Sequence, residues 1–184
     1  APMGKYSIMG NHDYAEYGDF APGESEASVK RLHEIHSEMG FHLLLDEHVH
    51  LKRAEDRVVL AGVENWSKHA FGKRGDIEKA LANSQSDSLI TLLMSHDPTH
   101  FEEIVMGGKA PVDLTMSGHT HGMQMGITID FLGINYSPVS MIYKRWGGLY
   151  TEGNQFLHVN RGFGVLGFRG RIGMPPEITL LELL

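Results

Sequence analysis

The feature of this chain that most limits its fold is one local pattern met three times, a short apolar run ending in a polar loop that carries histidine. Tyr6 to Met9 runs into Gly10-Asn11-His12-Asp13, and Leu89 to Met94 into Ser95-His96-Asp97-Pro98. Val112 to Met116 runs into Ser117-Gly118-His119-Thr120-His121-Gly122. The last two runs, with Val58 to Val63, are nearly continuous in apolar residues, which suits buried strands covered on both faces. Helix signals lie between them. Ser25 to Met39 puts Val29, Leu32, Ile35 and Met39 on one face and stops at Gly40, and Gly75 to Ala82 groups Ile77, Ala80 and Leu81. Asp97-Pro98 starts a further helix with Phe101, Ile104 and Val105 as its apolar face and Gly107-Gly108 as its stop. Strand alternating with helix predicts an α/β layered fold. Ligands of such sheets bind beyond the carboxyl ends of the strands, so the three histidine loops are expected to meet. The tail from Phe131 is rich in Gly, aromatics and turns, with a closing strand predicted over Glu177 to Leu184.

The 184 residues, 41% of them hydrophobic, suit a single domain over 1–184. Sixteen basic against 23 acidic groups give a net charge of −7 with no basic stripe, so nucleic acid is not the expected partner. An acidic protein acting on phosphates needs local positive charge, and bound metal supplies it. There is no cysteine, which excludes disulfides, thiolate chemistry and Cys-type zinc sites. No apolar run approaches the roughly 20 residues of a membrane span, and the first residues lack the basic-then-apolar pattern of a signal peptide. Ala1-Pro2-Met3-Gly4 enters the first strand almost at once, which reads as a cut inside a larger domain. Histidine is abundant, with 12 in the chain.

In an extended segment residues i and i+2 point to one side, so His119 and His121 are expected to present both imidazoles to one cavity. There they can serve one metal, or two about 3.5–4 Å apart, and Gly118 and Gly122 permit a tight backbone path. Ordinary hydrogen bonding of a strand-end pair is the plainer alternative. The Asn11 amide oxygen is a neutral hard ligand suited to Mn, Fe or Zn in a mixed N/O site, and the adjacent His12 can be a general acid. The same tetrapeptide also suits a turn. His96 taken alone reads as a histidine capping a strand.

Taken together and in this order, Gly-Asn-His-Asp, Ser-His at 95–96 and Gly-His-Thr-His at 118–121 resemble the calcineurin-like metallophosphoesterase family. The resemblance covers nearly the whole chain. It includes Gly147-Gly148-Leu149-Tyr150, Asn160-Arg161-Gly162-Phe163-Gly164 and the closing Pro176 to Leu183. These later segments are similar to a bacterial branch whose full-length members carry an N-terminal signal or membrane segment.

The resemblance implies an α/β fold, a metallophosphoesterase-type sandwich of two β-sheets flanked by helices, here lacking its first strands. It assigns Asn11, His96 and His119 to one metal and His121 to the other. It makes His12 the residue that stabilises the transition state and protonates the leaving oxygen. The implied reaction is phosphoester hydrolysis at two divalent ions (Mn, Zn, Fe or Mg) with a bridging hydroxide. Asp13 is assigned to the turn. The family's Asp-x-His and Gly-Asp-x-x-Asp motifs do not occur before Gly10, and Gly18-Asp19 and Gly75-Asp76 do not continue into them. This stretch alone is therefore expected to hold one ion or none and to turn over little. Its exposed strand edges would favour self-association. The parent is expected to be membrane-associated and the stretch itself soluble.

No substrate-binding residue is assigned, and the substrate stays open among monoesters, diesters and pyrophosphates, lipid- or nucleotide-linked. Met123 replaces a glycine common in relatives. The favoured reading is a side chain filling core space; the other is an apolar rim suited to a lipid phosphate. Arg161, Arg169 and Arg171 read as exposed loop arginines, His33 and His36 as a solvated helix face, and Trp66 and Trp146 as anchors. The competing function is a non-catalytic metal-binding or regulatory module. A zinc hydrolase using His-x-His-x-Asp-His fails, because Met123 and Gln124 stand where Asp and His are needed.

Overall fold

The computed structural model describes residues 2–84, 90–129 and 132–183. In chain order the elements are β1 (Tyr6–Ser7), α1 (Glu24–Glu38), β2 (His42–Leu43), β3 (Glu47–Arg53), β4 (Asp56–Gly62), α2 (Ile77–Ala80), β5 (Ile90–Met94), β6 (Leu114–Ser117), β7 (Ile127–Ile129), β8 (Ile134–Tyr136), β9 (Gly148–Glu152) and β10 (Gln155–Val159). Leu89, placed at the head of the second apolar run, lies outside the described residues.

Six strands form one sheet in the order β3-β4-β5-β6-β10-β9. The four central strands are parallel, and an antiparallel strand closes each edge. Two further sheets have two strands each, β1 with β2 and β7 with β8. The architecture is the expected α/β type, and the long sheet accounts for most of its order.

One face of the large sheet carries the core. Ala61, Val63, Leu93, Leu157 and Val159 are fully buried there against Ile77, Ala80, Phe101 and Val105 from the helical segments. Removing this much apolar surface from water is the dominant favourable term for the domain. The second face is only half covered. Along β5 full burial at Thr91 and Leu93 alternates with partial exposure at Ile90, Leu92 and Met94. Cover on both faces was the expectation for this run; a continuous apolar sequence does not distinguish a doubly from a singly packed strand. On that second face β1 and β2 approach at Gly62, where an added Cβ would stand 2.5 Å from Leu44 and 2.8 Å from Ile8.

Helix α1 spans nearly the expected residues, yet none of its side chains is fully buried, and Met39 is 58% exposed. Its His36 is not purely solvated, since Nδ1 lies 2.7 Å from Ser7 Oγ on β1. Helix α2 is shorter than expected, four residues capped by the Asp76 carboxylate on the Lys79 N–H. After β5, Asp97 Oδ1 accepts from the Thr99 N–H and hydroxyl, and a single π-helical turn follows over Phe101–Val105. The closing strand is a correction. Residues 177–183 are irregular, with Ile178 and Leu180 more than 80% exposed. A β-favouring composition forms a strand only beside a partner ladder, and this segment is held by side chains instead, among them Arg161 on Glu177 and Asn160 on Thr179.

Candidate metal centre

The three histidine loops do meet at the carboxyl end of the sheet. Met9 and Gly10 lead from β1 into a short 3-10 turn, Asn11–Tyr14, and the Asp13 carboxylate caps that turn by accepting the Gly10 N–H at 2.7 Å. The turn role foreseen for Asp13 is what the geometry shows. Neighbouring strands β5 and β6 deliver His96 and His119, and the Gly118 N–H donates to the His96 carbonyl at 2.9 Å. Gly10 lies under the His96 ring, and an added Cβ would stand 2.8–2.9 Å from three ring atoms. Only glycine leaves the imidazole room to face Asn11.

Three donor atoms converge. His96 Nε2 lies 2.9 Å from Asn11 Oδ1, His119 Nδ1 lies 3.1 Å from the same oxygen, and the two ring nitrogens are 3.2 Å apart. The Asn11 amide is oriented by its NH2 donating to the Tyr17 hydroxyl at 3.1 Å. On its far side, His119 Nε2 is 2.8 Å from the Tyr143 hydroxyl and 3.5 Å from the fully buried Asp97 Oδ2. The Tyr143 O–H points to the same carboxylate at 3.4 Å. This chain holds the proton of His119 on Nε2 and leaves the lone pair of Nδ1 facing Asn11 and His96, the arrangement of a ligand histidine backed by a carboxylate. Burial, more than any neighbouring charge, holds His96 down at about 3 and also lowers His119 and His121. All three rings are neutral near pH 7, with lone pairs to give. The phenol of Tyr143 is pushed well above its ordinary value, by burial first and Asp97 second.

These residues fit a metal ion. Two donors each bound at about 2.1 Å to one ion, at right angles to each other, stand about 3.0 Å apart. The three measured separations have that size. Three lone pairs facing one another are otherwise reconciled only by a shared proton. The ligand set is two imidazoles and an amide oxygen. Among the described residues no group of three His, Cys, Asp or Glu side chains is placed to hold a metal, so this set brings no negative charge of its own.

The other two predicted residues share the cavity but not the cluster. His121 Nδ1 is buried with no hydrogen-bond partner, and His121 lines the same pocket as Asn11, His96 and His119. The route there differs from the one expected. His119 and His121 have φ of 67° and 52°, and His121–Gln124 is a 3-10 turn, so a left-handed bend, not strand alternation, turns both rings inward. His12 is exposed on the cavity rim, its ring 4.6 Å from that of Tyr17. Tyr17, Phe71 (5.0 Å from the His119 ring) and Tyr143 were not found from sequence. Nothing around them marks a site, and Asp97 was read as a helix cap only.

Met123 is corrected too. It is 43% exposed on the cavity rim rather than filling core, because the bend that places His121 turns the Met123 side chain outward while Gln124 stays buried. Arg161 and Arg171 are not free loop arginines. Arg161 binds Glu177 at 2.6 Å, and Arg171 donates to the Gly164 and Arg161 carbonyls.

The chain is similar along its whole length to the uncharacterized metallophosphoesterase YkuE of Bacillus subtilis, with 30% identity over 185 residues, 57% of that protein. This likeness along the whole chain supports the metallophosphoesterase reading of the sequence. The domain is also 26% identical to the UDP-2,3-diacylglucosamine pyrophosphatase LpxG of Chlamydia muridarum, across the full chain and 65% of that protein. It thus spans less than two thirds of these curated relatives. The fold is shared by a solved structure, the sulfate thiohydrolase SoxB of Thermus thermophilus. The TM-score is 0.50 at 10% identity, over 84% of this chain and 27% of that one. No protein-family model matches.

Proposed function

We propose that this domain contributes to the metal-dependent hydrolysis of phosphoester bonds, with Asn11, His96 and His119 holding one divalent ion and His121 helping to hold a second. The observation that carries this reading is the convergence of Asn11 Oδ1, His96 Nε2 and His119 Nδ1 within 3.2 Å from three separate strand ends. When bound, the ions would polarise the phosphoryl oxygens and supply an activated water. Asp97 and Tyr143 keep the His119 proton on Nε2 and so keep Nδ1 available. His12, exposed at the mouth, gives its ring proton to the leaving ester oxygen. The likeness to curated metallophosphoesterases and to a pyrophosphatase supports this reading. The Mn, Fe, Zn or Mg preference is open to any mixed N/O site.

Neither an Asp-x-His nor a Gly-Asp-x-x-Asp motif precedes Gly10, and the Asp46-Glu47-His48 further on lies at the start of β3, with His48 Nδ1 2.8 Å from the Ala80 carbonyl. On this reading the 184-residue chain holds no more than one ion and turns over little. The deciding experiment is elemental analysis after manganese loading and desalting, run beside His96→Ala. Up to one ion per chain, lost in the variant, is the expected result. Two ions per chain would mean the stretch is self-sufficient. Equal metal content in the two proteins would sink the assignment. Retention of metal with no phosphoester hydrolysis in any longer form would favour a regulatory metal-binding module instead. Among the described residues no helix is long and apolar enough to cross a membrane.

A further inference from the structure

The polar pocket at the donor atoms is small, about 170 Å³. It shares Asn11, His12, His119, His121 and Leu166 with a larger trough of about 410 Å³. Whatever substituent a phosphate carries when its oxygens face the three donors must lie along this trough. Its walls are Phe71, Met123, Met125, Ile142, Leu166 and Phe168. A trough of this volume lies within the range of small-molecule sites. Most of its lining is hydrocarbon; besides the imidazoles, Asn11, Thr120, Gln124 and Tyr143 are its polar residues, and no carboxylate, lysine or arginine lines it. Met123, Met125, Ile142 and Leu166 keep 42–56% of their surface exposed, an arrangement that costs free energy in water and marks a surface waiting for an apolar occupant. The backbone is bent to make it so: Met123 and Gln124 adopt φ of 51° and 53°, a left-handed conformation unfavourable for such side chains. The polar atoms of Thr120, Gln124 and Tyr143 are already paired within the protein, so a sugar or nucleotide substituent would have to displace those bonds to find a partner along these walls.

We propose that the trough holds the hydrocarbon chain of the substrate, so that the substrate class of this centre is a lipid phosphoester. The phosphate faces Asn11, His96 and His119, and the chain lies against Met123, Met125, Ile142 and Leu166. This rests on the phosphoester reading above. Methionines suit the role, since their flexible side chains adapt to chains of different length and unsaturation.

The test is calorimetric titration of the manganese-loaded chain with inorganic phosphate and with ethyl, butyl and hexyl phosphate, all soluble as monomers. Each methylene taken from water strengthens binding about fourfold. Allowing for partial exposure, hexyl phosphate should bind at least about 50-fold more tightly than ethyl phosphate. Ile142→Asn and Leu166→Asn replace half-exposed side chains, so the fold, followed by circular dichroism, should survive. Together they should reduce the ratio below about fivefold. Equal affinities along the series would overturn the proposal. So would a steep series untouched by both substitutions, because the chain would then bind elsewhere. A steep series that collapses in those variants yet is unchanged in His96→Ala would leave the trough standing and sink the phosphoester reading.

Discussion

In the large sheet Val59, Ala61, Leu93, Leu157 and Val159 have no exposed surface, whereas in the loop lobe formed by residues 121–129, 132–147 and 160–177 Met141, Phe163 and Ile172 keep 84%, 75% and 58% of theirs. The two regions are held together differently. The sheet side combines ladder hydrogen bonds with a continuous apolar core. The loop lobe has a small core of Val139, Tyr143, Trp146 and Met174 and is otherwise fastened by polar latches. Gln124 donates to the carbonyls of Phe168 and Gly170 and accepts the Leu166 N–H, Ser137 donates to the Gly122 carbonyl, and Arg161 and Arg171 bind within the lobe. A latch fixes backbone without needing apolar side chains to face inward, so the lobe can turn them toward a ligand. Stability therefore belongs chiefly to the sheet and, on the reading proposed above, the recognition surface chiefly to the lobe. The donor cluster sits on the seam, with all three members delivered from the strand ends.

The contrast breaks most easily at Leu93. Its side chain is fully buried between strands, and Leu93→Ala should cost about 2–5 kcal/mol by transfer and cavity terms, read as a lower urea midpoint at constant slope. A cost below 1 kcal/mol would show that the sheet core is not the stability centre.

His100 sharpens the same contrast through pH. It is buried beside Ser95 and Trp66, and burial holds it down at about 4 against an ordinary 6.5. Folded-state depression of a base means its stabilising contribution is complete above pH 6.5 and falls away as the pH drops toward 4, because only the unfolded chain then takes up the proton. The loss across that window should be roughly 3 kcal/mol. His100→Gln should remove that part of the pH dependence, whatever it does to stability at pH 7; an unchanged profile would refute the account.

At the seam, Gly10→Ala should cost about 1–3 kcal/mol by overpacking against the His96 ring. It should also weaken manganese retention more than an equally destabilising change in α1. Equal retention would mean that His96 is free to move without losing the metal. The smallest effect belongs to the lobe surface. Phe163→Ser should change stability by no more than about 0.5 kcal/mol, and a larger loss would mean that this ring is packed in solution.

The polar loops were legible because their residue types and order stand out within short stretches of sequence. Gly10-Asn11-His12-Asp13, His96 and His119-Thr120-His121 could be named before any fold was known, and so could the alternation of strand and helix that brings such loops to one end of a sheet. Tyr143 and Phe71 could not, since each reaches the centre across a distance in sequence that no local pattern encodes, and Tyr17, six residues after Asn11, stands in no motif that marks it. The closing segment shows the same limit from the other side. Its residues favour β structure, but a strand exists only where a second strand offers its hydrogen bonds. What the amino-acid order determined by itself was therefore the local chemistry, the ligand types, caps and apolar runs, because these depend on near neighbours. What only the tertiary structure decided was which faces are covered, how His119 and His121 turn inward, and that Met123 looks out over a trough. Those outcomes are set by packing between segments remote in the chain, where the competition for buried surface is settled for the whole molecule at once.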